Sequence, residues 1–322
     1  MLKGDTPRFA LKGKKVYIAG IHGMVGSAIS RRLSAIDDLE VFGHSSQELD
    51  LRIRSDVEKQ LSNLSPDILI IAAAKVGGIK ANSDYPVEFL TENLEIQLNL
   101  MSTAHKLEVP RLLFLGSSCI YPKFADQPIE EGSLLTGELE PSNKAYALAK
   151  IVGIEQVSAY RREYGMDWIS AMPCNLYGPG DYFSDKTSHV IPGLMQRFLA
   201  AKLQGLDEVI AWGSGNPLRE FLHVDDLSDA LVFLLENYNE TGHINIGTGT
   251  ELTIKDLTGL IAKIVGFTGS VTWDLEKPDG TPRKILNSDL INSFGWRARI
   301  DLETGLRETF DWMQANLGKL RF

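Results

Sequence analysis

Short, continuous apolar runs alternate with longer amphipathic stretches through the first half of this 322-residue chain. Such runs are typical of strands that are buried on both faces, as in a parallel sheet covered by helices. We predict strands at residues 16–19, 41–42, 68–74, 112–115 and 168–172. We predict helices between them at residues 24–33, 55–61, 86–107 and 145–164. The alternation therefore predicts an α/β fold with a doubly wound parallel (Rossmann) sheet.

The character of the sequence changes after residue 172, where prolines and glycines crowd together before the next helix, predicted at 193–203. A chain of this length also favours two domains. We expect the first domain to span residues 1–172, with a return segment at about 221–247 that crosses back to the first sheet. We expect the second, a smaller α/β lobe, to span residues 173–322.

Charge and hydropathy exclude several classes of function. Acidic residues outnumber basic ones by 42 to 33, which gives a net charge of −9 and no electrostatic footprint for nucleic acid. No apolar run approaches the roughly 18 residues of a membrane span, and the amino terminus lacks the apolar core of a secretory signal. We therefore expect a cytoplasmic protein with neither a nucleic-acid partner nor a membrane partner.

The residues that bind metals in other proteins do not form a clear site in this sequence. The two cysteines have neither the number of a disulfide framework nor the spacing of a zinc site. His223, Asp225 and Asp226 are spaced like metal ligands, but we interpret the two aspartates as helix N-cap residues. We expect no metal.

A glycine-rich loop follows the first predicted strand and opens the first predicted helix. Its glycines are Gly20, Gly23 and Gly26, and it also contains His22, Met24 and Val25. Glycines allow a tight turn and let the backbone approach a pyrophosphate, which the positive end of the helix dipole attracts. By itself the triad also fits an ordinary strand–helix turn, but its place in the α/β pattern favours a dinucleotide site.

The end of the second predicted strand bears on the choice between NAD and NADP. An acidic residue there binds the ribose 2′-hydroxyl of NAD and repels the 2′-phosphate of NADP. No carboxylate follows this strand until Glu48, and His44, Ser45 and Ser46 offer hydrogen-bond donors. The segment therefore favours NADP(H), although it contains no arginine to clamp the phosphate.

Tyr146 and Lys150 are four positions apart in a predicted helix, so both project from one face. A neighbouring ammonium stabilises a phenolate, and we expect it to lower the tyrosine pKa toward neutral pH. The pair would then exchange protons with a substrate. An ordinary exposed pair has the same spacing, but the glycine loop and Ser117, at the end of the fourth predicted strand, favour catalysis.

The ordered set Gly20-x-x-Gly23-x-x-Gly26, Ser117 and Tyr146-x-x-x-Lys150 resembles the extended short-chain dehydrogenase/reductases. Within that class, longer segments from about Lys15 to the carboxyl end are similar to the GDP-L-fucose synthase family. These segments are AAAKVGGI, LGSSCIYPK, NLYGP, SHVIPGL, WGSGNPLREFLHVDD and KPDGTPRK. The resemblance implies an NADP-binding Rossmann domain, a nucleotide-sugar lobe, a homodimer, and NADPH as the hydride donor to a GDP-sugar.

The resemblance also implies roles for individual residues. Tyr146 donates a proton to the C4 oxygen of the sugar, Ser117 hydrogen-bonds that oxygen, and Lys150 tunes Tyr146 and holds the nicotinamide ribose. The implied cofactor contacts are Gly20, His22, Gly23, Met24, Val25, Gly26, Ser46, Leu115, Gly116, Lys150, Pro173, Asn175, Leu176 and His189. Some bacterial members carry arginines, which suit a 2′-phosphate, where this chain has His22 and Ser46.

The family reaction inverts C3 and C5 of GDP-4-keto-6-deoxy-D-mannose and then reduces C4, which gives GDP-L-fucose. Both carbons adjoin the C4 ketone, so their protons can be removed if the enolate is stabilised at its oxygen. Cys119 and His189 match the family's acid and base positions, and both side chains exchange protons near neutral pH. The alternatives are a small buried thiol and a helix-capping histidine. We expect Cys174 to pack near the cofactor.

A nucleotide diphosphate needs cations and a flat surface for its base, and the second lobe offers Arg197, Trp212, Arg219 and the Arg283–Lys284 pair. By resemblance, Arg197 and Arg219 contact the diphosphate, while Trp212 and Asp279 line the nucleotide-sugar site. Two alternatives to the two-step reaction stay open. One is a single-function reductase or epimerase of a related 4-keto nucleotide sugar, a deoxyheptose or a dideoxyhexose. The other is a non-catalytic dinucleotide sensor on the same fold.

Overall fold

A parallel sheet of six strands forms the centre of the part of the chain that the computed structural model describes, residues 8–184, 188–277 and 279–320. Its strands are β1 (Lys15–Ala19), β2 (Glu40–Phe42), β3 (Ile68–Ile71), β4 (Arg111–Leu115), β5 (Asp167–Pro173) and β9 (Ile244–Ile246). They lie in the order β2-β1-β3-β4-β5-β9, and every neighbouring pair is parallel. The sheet confirms the predicted doubly wound architecture.

Helices flank this sheet. They are α1 (Met24–Leu33), α2 (Arg54–Leu64), α3 (Ile79–Asp84), α4 (Pro86–Lys106), α5 (Lys144–Tyr164) and α7 (Val224–Asn237). α1 packs against α7, and α4 contacts both α2 and α5. Every residue of β3 and β4 is buried, which explains why these strands are continuous apolar runs. None of the helices in the described ranges is both long enough and apolar enough to cross a lipid bilayer.

The second part of the chain adds a smaller α/β lobe. Its strands are β6 (Asn175–Tyr177), β7 (Glu208–Trp212), β8 (Leu218–His223), β10 (Glu251–Thr253), β11 (Ser270–Asp274) and β12 (Arg283–Lys284). Its helices are α6 (Val190–Gln204), α8 (Ile254–Val265) and α10 (Leu302–Ala315), whereas α9 (Asp289–Ser293) packs against β9 of the first sheet. β8 pairs with β6 and β12 in parallel and with β10 antiparallel, while β7 pairs with β11. Apolar side chains of α6, α8 and α10 form a second hydrophobic core.

A buried guanidinium ties the end of α7 to the first sheet. Arg111, the first residue of β4, is 1% exposed. It donates hydrogen bonds to the backbone oxygens of Leu234, Leu235 and Tyr238 and a 2.7 Å bond to the carboxylate of Asp167. Burial lowers the pKa of Arg111 to about 10. The cation thus satisfies carbonyl groups that the end of a helix leaves without partners.

A buried carboxylate joins β8 to two neighbouring loops. Glu220 is fully buried, and its Oε1 accepts hydrogen bonds from the backbone nitrogens of Thr248 (2.6 Å) and Gly249 (2.7 Å). Its Oε2 accepts a 3.0 Å hydrogen bond from the backbone nitrogen of Leu286. Burial raises the pKa of Glu220 more than these three donors lower it. The side chain therefore holds the chain after β9 and the chain after β12 against the second lobe.

Candidate active site

The carboxyl ends of β1, β4 and β5 lie at one edge of the first sheet, because these strands are parallel. From β1 the chain crosses to β2 on one side and then to β3 on the other. In doubly wound sheets, ligands bind outside the carboxyl ends of the strands at such a reversal. The glycine loop, the segment that follows β4 and the segment that follows β5 therefore converge on the expected ligand crevice.

The glycine loop approaches neighbouring backbone so closely that side chains would not fit. Gly20 has a φ of +86°, and a Cβ there would lie 2.8 Å from the backbone nitrogen of Ala73. A Cβ on Gly26 would lie 2.1 Å from the backbone oxygen of Gly20. The loop thus leads directly into α1, whose first backbone N–H groups, at Met24 and Val25, have no partner within the helix. This cradle fits the pyrophosphate of a dinucleotide.

Glu48 lies several residues beyond β2 in the sequence, but its carboxylate returns to the end of that strand. Glu48 folds back onto Ser45 and accepts hydrogen bonds from its backbone nitrogen (2.8 Å) and its Oγ (2.9 Å). These bonds lower the pKa of Glu48, and the nearby rings of His44 and His22 lower it further. Glu48, the first carboxylate after this strand, therefore contacts Ser45, one of the predicted phosphate donors. Ser46 is exposed beside it.

His44 is engaged within the protein and does not offer the phosphate donor that we predicted. Its ring stacks on Tyr17, with the two centroids 5.8 Å apart. Its Nδ1 lies 3.3 Å from the hydroxyl of Tyr17, and its Nε2 lies 3.0 Å from Nε2 of Gln60. Both ring nitrogens therefore have partners inside the chain.

α5 and the end of β4 bring the predicted catalytic residues together. Lys150 is 3% exposed, and its Nζ donates a 2.8 Å hydrogen bond to the backbone oxygen of Leu115. Ser117 caps the short 3-10 turn after β4, and its Oγ accepts a 3.2 Å bond from the backbone nitrogen of Cys119. Tyr146 hydrogen-bonds Ser117, and its ring centroid lies 5.9 Å from Nζ of Lys150. The side chains of Ser117, Tyr146 and Lys150 thus form one cluster, and Cys119 lies next to it.

Burial sets the protonation of the central pair. It raises the pKa of Tyr146, the charge of Cys119 adds to that increase, and the hydrogen bond with Ser117 opposes it. Burial also lowers the pKa of Lys150 to about 7. The predicted lowering of the tyrosine pKa by Lys150 is therefore wrong, because burial disfavours the charged forms of both groups. Tyr146 is a neutral phenol at neutral pH, which is the form that donates a proton.

The two cysteines have different surroundings. Cys119 is half-buried, and Nζ of Lys284 donates a 3.5 Å hydrogen bond to its Sγ. Cys174 is 6% exposed and belongs to the main hydrophobic core, and burial raises its pKa well above the usual value for a thiol. Cys174 therefore packs in the core, and its nearness to the cofactor stays a prediction, while Cys119 lies beside Ser117 and a cation.

His189 occupies the N-cap position of α6, where the alternative interpretation placed it. Its ring is exposed, and it makes no cap hydrogen bond to the described helix. The helix-capping explanation therefore does not account for its side chain. A role for His189 as acid or cofactor contact stays a prediction, as does its position relative to Cys119.

The other predicted cofactor residues lie along the same edge of the sheet. Leu115 and Gly116 are at the carboxyl end of β4, and Pro173 ends β5. Asn175 and Leu176 follow in β6, where Nδ2 of Asn175 donates a 2.8 Å hydrogen bond to a backbone oxygen of β8. These residues lie near the end of the sheet that carries the glycine loop. Their individual contacts with the cofactor stay predictions.

Two of the predicted substrate residues stack on each other. The guanidinium carbon of Arg197, on α6, lies 5.3 Å from the ring centroid of Trp212 at the end of β7. Nη1 of Arg197 also donates a 2.8 Å hydrogen bond to the backbone oxygen of Ile210. Nζ of Lys277 lies 5.9 Å from the same indole, which is 45% exposed. An exposed indole with two cations offers a surface for a base and a phosphate.

The other two predicted substrate residues flank the turn that follows β7. The carboxylate of Asp279 accepts hydrogen bonds from the backbone nitrogen of Ser214 (2.7 Å) and from its Oγ (2.8 Å). Burial lowers the pKa of Arg219, and the charge of Asp279 partly restores it. Arg219 also interacts electrostatically with Cys119. Asp279 and Cys119 are therefore both close enough to Arg219 to act on its charge.

The structure corrects the interpretation of the segment that begins α7. His223 is the N-cap residue, and its Nδ1 accepts a 3.3 Å hydrogen bond from the backbone nitrogen of Asp225. Asp225 pairs with Arg31 (2.6 Å), and Asp226 accepts from backbone nitrogens at residues 299 and 300. The aspartates are therefore first-turn residues and not caps. No cluster of three or more His, Cys, Asp or Glu suited to a metal occurs in the described ranges.

The structure adds three contacts that sequence reasoning did not predict, two of them made by Glu48 and Lys284, residues that the sequence had already indicated. These are the contacts of Glu48 with Ser45, of Ser214 with Asp279, and of Lys284 with Cys119. Lys284 ends the segment KPDGTPRK, which is one of the segments that carried the resemblance. The sequence therefore indicated this segment but not the contact between Lys284 and Cys119. Because 165 positions separate Lys284 from Cys119, no local pattern could join the two.

Comparisons with known proteins agree with this geometry. The chain is 52% identical over 306 residues to GDP-L-fucose synthase 1 of Arabidopsis thaliana, and the match covers 95% of each chain. A crystal structure of a GDP-L-fucose synthetase from Naegleria fowleri bound to NADP matches with a TM-score of 0.90 at 25% identity, over 99% of each chain. A GDP-mannoheptose C4 reductase from Campylobacter jejuni with NADP bound matches with a TM-score of 0.85 at 30% identity, over 95% of this chain and 99% of its own.

These likenesses confirm the resemblance that the motifs indicated. A family description also matches residues 16–247, which include the glycine loop, Ser117, Tyr146 and Lys150. The matched range begins in β1 and ends just after β9, so it contains all six strands of the first sheet apart from the first residue of β1. On its sequence, its fold and its catalytic cluster, the chain belongs to the NAD dependent epimerase/dehydratase family.

Proposed function

We propose that this protein inverts C3 and C5 of GDP-4-keto-6-deoxy-D-mannose and reduces C4 with NADPH, which gives GDP-L-fucose. The observation that carries the proposal is the cluster of Ser117, Cys119, Tyr146 and Lys150 at the carboxyl end of β4. The names of the relatives with which the chain shares half of its residues support this substrate and product. The activity is that of an NADP-dependent oxidoreductase that is also an epimerase.

The residues at the sheet edge fit NADPH, which supplies the hydride for C4 when it is bound. The glycine loop and the start of α1 would hold the pyrophosphate, because a Cβ at Gly20 or Gly26 would collide with backbone. Lys150 would hold the nicotinamide ribose. Ser46 and His22 would face the 2′-phosphate, together with the carboxylate of Glu48.

Inversion begins with removal of a proton from a carbon next to the C4 ketone. The Cys119 thiolate takes the proton, an S–H bond forms, and the C–H electron pair moves to make an enolate at the C4 oxygen. Tyr146 and Ser117, which hydrogen-bond each other, donate to that oxygen and stabilise its charge. His189 returns a proton to the carbon from the opposite face of the ring.

Reduction uses the same donors. As C4 accepts the hydride, its oxygen becomes an alkoxide and takes the phenolic proton of Tyr146. The raised pKa of Tyr146 keeps that proton in place at neutral pH until the alkoxide forms. Lys150, held by the backbone oxygen of Leu115, then stabilises the phenolate that is left.

The second lobe would hold the GDP part of the substrate. Arg197 and Trp212 form a stacked pair, and Lys277 lies over the same indole. Arg219 is suited to the diphosphate, because its cation interacts electrostatically with both Asp279 and Cys119. Asp279 would act at the nucleotide, and it also fixes the turn at Ser214.

The oligomeric state and the domain division belong to the same proposal. Four apolar residues of α4 and α5 are exposed: Val87, Leu98, Leu148 and Val152. A second copy of the chain that packs on this face would give the homodimer.

Residues 1–172 with the return segment 221–247 would bind the cofactor, and residues 173–322 would bind the sugar nucleotide. Residues 1–7, 185–187, 278 and 321–322 of these domains lie outside the described residues. The two free cysteines suit a cytoplasmic setting.

A C4 reductase of a related GDP-heptose is the second candidate, and the likeness to the Campylobacter jejuni reductase favours it. Such an enzyme needs Ser117, Tyr146 and Lys150 but has no use for a base at Cys119. The thiol beside the catalytic serine therefore favours the epimerase–reductase over a reductase alone.

Turnover in deuterated water tests the proposal. With GDP-4-keto-6-deoxy-D-mannose and NADPH we expect nicotinamide oxidation and a GDP-L-fucose product that carries deuterium at C3 and C5. Tyr146→Phe is expected to slow hydride transfer by roughly 10²- to 10⁴-fold, since it removes the proton donor. Tyr164→Phe, at the exposed end of the same helix, is the matched control and should change neither step.

Each half of the proposal can fail separately. A reduced product with no deuterium at either carbon would remove the epimerase half. Faster turnover of a GDP-4-keto-heptose would favour the second candidate. Absence of nicotinamide oxidation with both substrates would leave the non-catalytic sensor.

A further inference from the structure

Lys284 is the one residue of the second lobe whose cation is hydrogen-bonded to the predicted base, within the part of the chain that the structure describes. Its Nζ lies 3.5 Å from Sγ of Cys119. Cys119 comes from the turn after β4 in the first sheet, and Lys284 comes from β12 in the second lobe. The contact therefore joins the two parts of the chain at the catalytic cluster.

Backbone pairing on both sides fixes the position of Lys284. β12 runs parallel to β8, in a register that places Lys284 beside Arg219. Immediately after β12, the backbone nitrogen of Ile129 donates a 2.8 Å hydrogen bond to the oxygen of Ile285, and the nitrogen of Asn287 donates one of 2.8 Å to the oxygen of Ile129. Lys284 is thus held between a strand and a loop, and its reach to Cys119 does not depend on a freely moving segment.

The charges around Cys119 are predominantly positive. Lys284 contacts the thiol, Arg219 interacts with it electrostatically, and Tyr146 is a neutral phenol. Cys119 and Lys284 line a cavity that Lys123 and Glu140 also line. Lys123 and Glu140 pair with each other at 3.9 Å. Lys284 also acts electrostatically on Cys174, whose thiol is buried.

No carboxylate pairs with Lys284 within 4.0 Å among the residues that the structure describes. Its ammonium is half-buried and aimed at sulfur, and it is not neutralised by an acid of its own. Thiolates are stabilised by neighbouring lysine and arginine side chains, and the thiolate is the form that accepts a proton.

We propose that Lys284 is a positioning residue that holds Cys119 as a thiolate directed at the sugar ring. This inference rests on the proposed function of Cys119 as the base. When the thiolate takes a proton from C3 or C5, the S–H bond forms and the electron pair passes to the C4 oxygen. The ammonium of Lys284 keeps its own three protons throughout and favours release of the thiol proton to solvent, which restores the thiolate.

The reactivity of Cys119 toward iodoacetamide measures this without any substrate. Alkylation follows the thiolate, and peptide mass spectrometry separates Cys119 from Cys174. Lys284→Gln should slow alkylation of Cys119 about tenfold at pH 7 and recover the wild-type rate at high pH, as a loss of thiolate requires. Lys284→Arg should keep most of the wild-type profile, because it keeps the charge.

Two further variants make the result decisive. Lys123→Gln removes a cation that lines the same cavity but pairs with Glu140, and its profile should match wild type. Lys284→Met is a second uncharged variant in case Lys284→Gln does not fold, with thermal unfolding as the check. An alkylation profile of Lys284→Gln or Lys284→Met that matches wild type at every pH would overturn the proposal.

Deuterium exchange then separates this inference from the function on which it rests. If Cys119 is the base, Lys284→Gln should lower exchange at C3 and C5 about tenfold at pH 7, with recovery at high pH. A shifted alkylation profile in a protein whose wild type exchanges no deuterium would keep the Lys284–Cys119 pair and reject the epimerase function. A variant with normal exchange and a shifted alkylation profile would reject Lys284 as a positioning residue for catalysis.

Discussion

The ammonium of Lys150 donates a 2.8 Å hydrogen bond to the backbone oxygen of Leu115, and this bond links the middle of α5 to the end of β4. Ser117 follows Leu115 by two residues, and Tyr146 precedes Lys150 by one helical turn. The same bond therefore helps to fix the distance between Ser117 and Tyr146, the two groups that we propose act on the C4 oxygen. It also keeps an ammonium in a site where burial disfavours its charge.

The cost of burying Lys150 predicts a pH-dependent stability. Burial lowers its pKa from the usual 10.5 to about 7, so between those values the unfolded chain binds one proton more than the folded one. The free energy of unfolding therefore rises with pH in that window, by up to about 1.4 kcal/mol per pH unit from this group. We expect the stability of wild type relative to Lys150→Met to increase by about 2 kcal/mol from pH 7.5 to 9.5 in urea unfolding. A difference that stays constant with pH would contradict this.

Cys119→Ala and Cys174→Ala form a matched pair that separates chemistry from packing. Cys119→Ala should lower deuterium incorporation at C3 and C5 by roughly 10²-fold or more, because it removes the base, and should slow nicotinamide oxidation much less. Cys174→Ala removes the same atoms from the core, so it should lower the melting temperature and keep both reactions. Equal loss of exchange and hydride transfer in Cys119→Ala would indicate a structural role for that thiol.

The carboxylate at the end of β2 predicts a change in cofactor preference. Glu48 places a negative charge on Ser45, where the 2′-phosphate of NADPH would be held. We expect Glu48→Gln to raise the ratio of kcat/KM for NADPH to that for NADH about fivefold, since two exposed charges repel by about 1 kcal/mol. Glu40→Gln, at the opposite end of the same strand, is the control. An unchanged ratio in Glu48→Gln would show that the carboxylate moves away from the phosphate.

Glu220 predicts the cost of removing a buried acceptor. Glu220→Ala leaves the backbone nitrogens of Thr248, Gly249 and Leu286 without their partner, and we expect it to lower the free energy of unfolding by about 3 kcal/mol or more. Glu220→Gln keeps one accepting oxygen and should cost less. Glu251→Gln breaks only the partly exposed pair with Arg283 and should change stability by less than about 1 kcal/mol. Equal effects of all three changes in urea unfolding would refute the role of burial.

Regular elements of the first sheet were predictable because their periods are long enough to recognise. α1 runs from Met24 to Leu33, the bounds that the sequence indicated, since a glycine loop marks its start. β3 ends at Ile71, three residues before the predicted end, because an apolar run does not mark where strand pairing stops. The two- and three-residue strands of the second lobe are too short to show any period, so none of them was predicted.

Some residues of the candidate site were likewise predictable from the sequence, and others were not. The sequence identified three of these residues. Tyr146 and Lys150 have the spacing of a catalytic pair, and Ser117 lies at the end of a predicted strand. The pKa of Tyr146 was misjudged, since burial cannot be read from a four-residue spacing. The contacts of Lys284 with Cys119 and of Glu48 with Ser45 were not predicted, because only the folded chain brings these groups together.

The buried guanidinium of Arg111 has a consequence for dissecting the protein. Its acceptors at Leu234, Leu235 and Tyr238 belong to the end of α7, more than 120 positions further along the chain. A fragment that stops at Met172 would contain the guanidinium but neither these carbonyl groups nor α7, and of the acceptors only Asp167 would remain. The half that we propose binds the cofactor therefore cannot be obtained by truncating the chain at one position. Its smallest independent version has to combine two separate segments of the polypeptide.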